Sequence, residues 1–329
     1  MSARPTVVVT GVGALIGQGI AAGLGQDGRA EIIGLDRRRS LVAETLCDET
    51  VQKPGCDEED AEYLAFWDAL IIEAGVRLII PGISVDMVFL MSHAPFFWDR
   101  GVVLALNDMD LIRLSEDKRA FARDYTALGL PQIPTLCDPG NWSALAGPLG
   151  PPPYLMKPAV GEGSQGLRVL HDEADFAYWS QKTGGAQLYQ TIIGTDDEEY
   201  TVGVFGLGDG TSLGPLIFRR TLTRSGHTGT AEVVDHPAIA EATARIVAHY
   251  RPIGPTNLQY RVAQGKPYLL EINPRFSSSA SLRTGFGFNE AAMCLDFYLM
   301  GKTPDLPILR RGLAQRHIAD MFDHAGPSE

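Results

Sequence analysis

Cysteine is scarce and unpatterned in this chain. Cys47, Cys56, Cys137 and Cys294 form no C-x-x-C pair and have no histidine at metal-ligand spacing, which argues against a zinc site and for reduced thiols in a cytoplasm. Long apolar runs are also missing: no stretch approaches the roughly 18 uninterrupted residues of a membrane span. The start, from Met1 through Arg4-Pro5 into Val7-Val-Val9, lacks the parts of a signal peptide. Positive charge is in deficit, 28 Lys and Arg against 40 Asp and Glu for a net -12. That balance excludes a general nucleic-acid surface and docking on anionic membranes, although a local basic pocket stays open. No internal repeat is found. What is there is 329 residues of ordinary globular composition, enough for two or more domains.

Thr6 to Thr10 is β-branched and runs into Gly11-Val-Gly13-Ala-Leu-Ile-Gly17 and a helical stretch through Leu24, which is strand, glycine turn and helix. A second strand, Glu31 to Leu35, ends at Asp36, near where a dinucleotide fold puts its ribose-binding acid. The spacing is G-x-G-x-x-x-G, so the turn is either an NAD(P) site or a structural or substrate-side element. Apolar Leu64, Trp67, Leu70 and Ile71 give a helix within 58–74. Leu78 to Ile80 is a buried strand, Ser84 is the expected cap of a helix from Val85 to His93, and Val102 to Leu104 is another strand. Strands alternating with helices predict an open parallel sheet over residues 1–107.

From Asp108 the pattern changes. Ser115 to Leu128 reads as one helix with Lys118 near its start. Tyr154 to Pro158 is a strand carrying Lys157, followed by the glycine loop Gly161-Glu-Gly163-Ser164-Gln-Gly166 and a strand from Leu167 to Leu170. The loop is either a phosphate cradle with Lys157 as its cation or a flexible hairpin tip. Leu188 to Gly194 is a strand end, and Glu199 opens a longer strand to Phe205. The segment from Arg219 to Gly229 gathers Arg219, Arg220, Arg224 and His227, either as an anion site or as a solvated loop.

Asn257 to Phe276 reads as a hairpin turning at Gly265. Leu258, Tyr260 and Val262 share one face, with Tyr268, Leu270 and Ile272 set against them. On the other face Gln259 stands opposite Glu271 and Asn273 follows, so that three oxygen donors converge. Such a set suits a hard cation such as Mg2+, with the charge of Arg275 nearby; the alternative is a solvated polar face.

Taken in order, Lys118, Lys157-Pro158, the glycine loop, Gln190 to Ile193, Glu199-Tyr-Thr-Val, Gly226-His227-Thr-Gly229, Gln259 and Glu271-Ile-Asn273-Pro-Arg275-Phe-Ser resemble the ATP-grasp enzymes. They are close to one synthetase half of the carbamoyl-phosphate synthetase large subunit, and the resemblance spans nearly the whole chain. It implies an α/β protein with the ATP-grasp fold behind an open parallel-sheet, Rossmann-like pre-ATP-grasp domain at 1–107. A small lobe at 108–189 and a large lobe at 190–329 would then hold ATP between them. Lys118 and Lys157 would contact the phosphates, and Gly161, Gly163, Ser164 and Gly166 would close over them. Gln190, Thr191, Ile192 and Ile193 would line the adenine slot, with Glu199 at the ribose. Gln259, Glu271 and Asn273 would hold one or two Mg2+ ions, with Mn2+ an alternative. Arg275, with Arg220 and His227 from the basic segment, would be catalytic. Two departures, Thr230 in place of an acid and Ser278 in place of an arginine, imply a carboxylate other than bicarbonate. The expected function is a stand-alone, ADP-forming ligase that makes an acyl phosphate of a small carboxylic acid and couples it to an amine. Two rivals remain, an NAD(P)-dependent oxidoreductase using the N-terminal glycine turn and a non-catalytic ATP sensor. Expected partners are small molecules only, and a homodimer is left open.

Overall fold

The computed structural model describes residues 4–160 and 166–323. The first sheet is parallel, in the order β3-β2-β1-β4-β5, from β1 (Thr6–Thr10), β2 (Glu31–Asp36), β3 (Glu49–Gln52), β4 (Val76–Ile80) and β5 (Val103–Leu104). Between these strands run α1 (Leu15–Asp27), α2 (Leu41–Leu46), α3 (Ala61–Ala74), α4 (Ser84–Ser92) and α5 (Ala94–Trp98). Alternate side chains of β1 serve two cores, as the period of a strand requires. Val8 packs with Tyr63, Trp67, Leu90 and Phe97, whereas Val7 and Val9 pack with Ile20 and Leu24 of α1. Ser84 does not cap α4; it is the helix's first residue and Ile83 takes the cap position.

Two helices, α6 (Met109–Glu116) and α7 (Lys118–Tyr125), replace the single helix expected from Ser115. Asp117 divides them, its carboxylate accepting from Arg119 N and Ala120 N, while Lys118 N donates to Ala159 O at 3.0 Å. A four-stranded antiparallel sheet follows in the order β6-β9-β7-β8, built from β6 (Thr135–Cys137), β7 (Tyr154–Pro158), β8 (Arg168–Leu170) and β9 (Gln187–Thr191). With α8 (Ser143–Leu149) and α9 (Glu173–Lys182) it encloses a small core of its own around Tyr154, Met156 and Leu170.

The third sheet is antiparallel, with β10 (Glu199–Leu207), β11 (Ser212–Leu222), β12 (Thr228–Val233), β13 (Ile253–Ala263), β14 (Lys266–Asn273) and β15 (Leu313–Gln315) in the order β14-β13-β10-β11-β12-β15. The basic segment from Arg219 is thus mostly strand, with a turn only at Thr223 to His227. Central β10 is buried on both faces. Tyr200, Val202 and Val204 face α10 (Pro237–Tyr250) together with Phe121 and Tyr125 of α7. Phe205 joins the core that also holds Val7, Val9 and α1, so the first and third sheets share apolar packing. Residues of α11 (Ala280–Gly285) and α12 (Glu290–Cys294) complete that contact. Among the described residues no helix is long and apolar enough to cross a membrane.

The hairpin β13–β14 departs from regular alternation. Gln259 pairs with Glu271 as expected, but the next pair is Tyr260 with Leu269. A bulge at Leu270 therefore puts Leu269, not Tyr268 or Leu270, into the core with Leu258, Tyr260, Val262 and Ile272. Leu270 turns instead toward the cleft.

Candidate active site

The bulged hairpin presents Glu271 where the four-stranded sheet overhangs the large one. Glu271 Oε1 accepts from Gln259 Nε2 at 2.5 Å and from Asn273 Nδ2 at 2.8 Å. Gln259 thus turns its nitrogen, not its oxygen, to the carboxylate, because Arg220 Nη2 holds the oxygen at 2.6 Å. Arg220 is buried and also reaches Glu199 Oε1 at 2.9 Å. The other oxygen of Glu199 accepts from Arg261 Nε at 3.1 Å and Nη2 at 3.0 Å. A continuous polar chain, Arg261–Glu199–Arg220–Gln259–Glu271–Asn273, therefore crosses the sheet from the position expected for ribose to the position expected for a metal.

This chain forms a wall of a cavity of about 390 Å³. Lys118 and Lys157 stand opposite, and Ile192, Ile193, Leu155 and Val169 make an apolar slot. Four cations, Lys118, Lys157, Arg220 and Arg261, face three carboxylates, Asp196, Glu199 and Glu271, a locally positive pocket in an acidic protein. Burial lowers Lys157 to about 8; Glu271 opposes the shift and Lys118 adds to it. A polyphosphate would restore the charged form by supplying the missing anions. A second cavity of about 450 Å³ shares Lys118, Lys157, Gln190, Leu270 and Glu271 with the first and adds Asn273 and Arg275.

Lys118, Lys157, Gln190, Thr191, Ile192, Ile193, Glu199, Arg220, Gln259, Glu271, Asn273 and Arg275 all line one or both cavities. Within that set Thr191 commits its hydroxyl to Leu149 O at 2.8 Å, and Gln190 donates to Thr135 Oγ1 at 2.7 Å. His227 is not brought in: its side chain is exposed at the β11–β12 turn and lines neither cavity. Gly166 lies outside both linings as well, with its φ of +77° and with Pro158 where a Cβ would sit. Gly161, Gly163 and Ser164 lie outside the described residues.

Sequence reasoning missed Arg261. Its register position opposite Glu199 was readable only once β10 was known to pair with β13. Ser84 lines the second cavity. Asp86 is in a buried ion pair with Lys53, Arg37 binds Glu58 and Arg39 binds Glu44 and Asp323, and Arg316 donates to Ser278 O. Arg283 is wholly buried, its Nε 2.8 Å from Glu290 Oε2 and its Nη1 3.1 Å from Asn257 Oδ1.

The glycine turn of the first sheet is occupied by packing. Asp36 Oδ2 accepts from Gly13 N at 2.8 Å, so the acid that a dinucleotide ribose would need already closes the turn. A Cβ on Gly17 would lie 2.3 Å from Gly11 O, and one on Gly23 would lie 2.8 Å from Asn289 Oδ1. These glycines bring α1 close to β1 and to α12.

Among the described residues Glu271 Oε2 and Asn273 Oδ1 have no hydrogen-bond partner, and both are hard oxygens on one strand. They fit an ion held by one carboxylate, an amide and substrate phosphates, with Gln259 positioning Glu271.

Residues 195–321 match the family model described as ATP-grasp in the biosynthetic pathway with Ter operon. The arginine-specific carbamoyl phosphate synthase large chain of Geobacillus stearothermophilus is 28% identical over 222 residues, covering 62% of this chain and 20% of that one. The carbamoyl phosphate synthase large chain of Kocuria rhizophila is 28% identical over 209 residues, covering 58% and 19%. The aligned region spans about a fifth of the length of these curated relatives. Among solved structures, the ADP complex of N5-carboxyaminoimidazole synthetase from Staphylococcus aureus superposes with a TM-score of 0.71 at 15% identity, covering 94% of this chain and 81% of that one. The biotin carboxylase–β-γ-ATP complex from Campylobacter jejuni gives 0.67 at 18%, covering 87% and 69%. The chain is therefore built on the ATP-grasp fold behind an N-terminal parallel sheet, carries an ATP-grasp domain and is similar to carbamoyl phosphate synthase large chains.

Proposed function

We propose that this chain is an ADP-forming ligase that activates a carboxylic acid as an acyl phosphate and couples it to an amine. The observation that carries the proposal is the polar chain ending at Glu271 and Asn273, set between a cationic, apolar-slotted cavity and a second cavity that reaches Arg275. In the first, Ile192, Ile193 and Leu155 take the adenine, Glu199 the ribose and the two lysines the phosphates. Each Glu199 oxygen accepts two hydrogen bonds from one arginine, Oε1 from Arg220 and Oε2 from Arg261, which fixes the carboxylate beside the slot. Mg2+ bound at Glu271 and Asn273 would neutralise charge on the phosphates.

The acid would enter from the second cavity. Its oxygen attacks the γ-phosphorus, the bond to the ADP oxygen breaks, and Lys118, Lys157 and Arg275 offset the charge on the transferred group. The amine then attacks the acyl carbon, loses its proton and expels phosphate. Water must stay out between the two steps, and Val160 and Leu270 present apolar surface at that point. Residues 1–107, 108–189 and 190–329 are proposed as the three domains, and the cytoplasm as the location, consistent with the four cysteines being unpaired.

The test is phosphate release from ATP with Mg2+ across a panel of carboxylic acids, each with and without a panel of amino acids. Release that depends on one acid, grows with one amine and disappears in Glu271→Ala is the expected result. A chain that fails to bind ATP would defeat the proposal.

A further inference from the structure

The second cavity is larger than the nucleotide pocket and its walls are mostly apolar. It lies beyond Lys118, Lys157 and Leu270, and is closed by Val85 and Val88 of α4 and by Phe121, Ala122 and Tyr125 of α7. Val85 and Val88 are 52% and 39% exposed on a helix whose Met87, Phe89 and Leu90 are buried. The chain therefore leaves two β-branched side chains bare inside a cleft. Charge orients the occupant. The cations Lys118 and Lys157 line both cavities, Arg275 lines the second, and Glu116 is the acid of its remaining lining.

Resting on the ligase reading above, we infer that the carboxylic acid substrate carries an apolar body, aliphatic or aromatic. Its carboxylate lies at Arg275 and the lysines, and its body lies against Val85, Val88, Phe121 and Ala122. A space of about 450 Å³ accommodates on the order of ten non-hydrogen atoms, at the small end of ligand pockets. Bicarbonate and short polar acids would leave these walls wet.

The experiment offers straight-chain acids from acetate to decanoate, with benzoate, phenylacetate and bicarbonate, to the full chain with MgATP. Hydroxylamine serves as the nucleophile, so that any acyl phosphate is trapped as a hydroxamate whatever the natural amine is. The expected result is kcat/KM rising about fourfold per methylene to a maximum near six to ten carbons. Ala122→Trp, which fills the cavity, should move that maximum to shorter acids. Val88→Trp, at a partly exposed position, should do the same without altering packed core. Preference for bicarbonate or acetate, or a length profile that neither variant moves, would overturn the inference. If no acid supports turnover, the ligase reading fails and the cavity is judged by calorimetric titration of octanoate in the presence of MgADP. Binding to the native chain that is lost in Ala122→Trp would uphold the apolar site, and no binding to the native chain would overturn it.

Discussion

Glu271 accepts two amide hydrogen bonds on one oxygen, which leaves the other oxygen and that of Asn273 for a cation. Glu271→Gln keeps the size of the side chain and removes its charge. It is expected to lower MgATP-dependent phosphate release by roughly two orders of magnitude or more while thermal unfolding stays near that of the native chain. Lys157 sets a pH dependence. Only its ammonium form neutralises phosphate, and burial holds it at about 8. MgATP affinity should be level below pH 8 and weaken by about tenfold per pH unit above it, measured by calorimetry. Lys157→Arg, charged throughout, should abolish that step. Without nucleotide the sign for stability is the reverse. The unfolded chain binds this proton more tightly between pH 8 and 10.5, so the destabilising contribution is complete below 8 and fades as pH rises through that window.

At the scale of elements, the hairpin depends on what lies behind it. Arg283 of α11 crosses β10, where a Cβ on Gly203 would lie 2.5 Å from Arg283 Cδ. It binds Glu290 and also holds Asn257 and Ser277, residues on and just beyond the hairpin strands. Arg283→Met would strand the Glu290 carboxylate, whose pKa burial already raises. The loss should be about 3–5 kcal/mol in urea unfolding, and the added change Glu290→Leu should recover much of it. Gly203→Val should act through the same contact and lower stability with the ion pair chemically intact. The pairing of Gln259 with Glu271 was legible in the alternation of the sequence, because it is set within one local hairpin. The bulge at Leu270 was not, since the choice between Leu269 and Leu270 for the core depends on α10 and α7 packing beneath.

At the scale of the whole molecule, the parallel sheet is not an independent unit in its packing. Val7, Val9, Ile20 and Leu24 share one apolar core with Phe205, Phe218 and Phe288. A fragment ending at Asn107 would expose that face, and it is expected to aggregate or to bind a hydrophobic dye where the full chain does not. The same packing carries α4 to the second cavity, so the N-terminal sheet takes part in forming the candidate site. It also accounts for the glycines of α1. Gly19 and Gly23 admit Ser281 of α11 and Asn289 and Ala291 at the start of α12.

The sequence by itself determined the alternation of strands and helices in the N-terminal sheet and the pairing across the β13–β14 hairpin. Thr6 to Thr10, Tyr154 to Pro158 and the Gln259–Glu271 pair were readable because β-branching, proline and strand alternation act over a few neighbours. Tertiary structure alone decided which charges meet. Arg220 and Arg261 converge on Glu199 only because β11 and β13 both flank β10, and Arg220 then dictates which end of the Gln259 amide faces Glu271. Arg283, no different in sequence from a surface arginine, is buried because Glu290 and Asn257 compensate its charge. The apolar cavity likewise needs α4, α7 and β14, three segments distant in the chain, whose side chains form a wall only when the sheets are packed together.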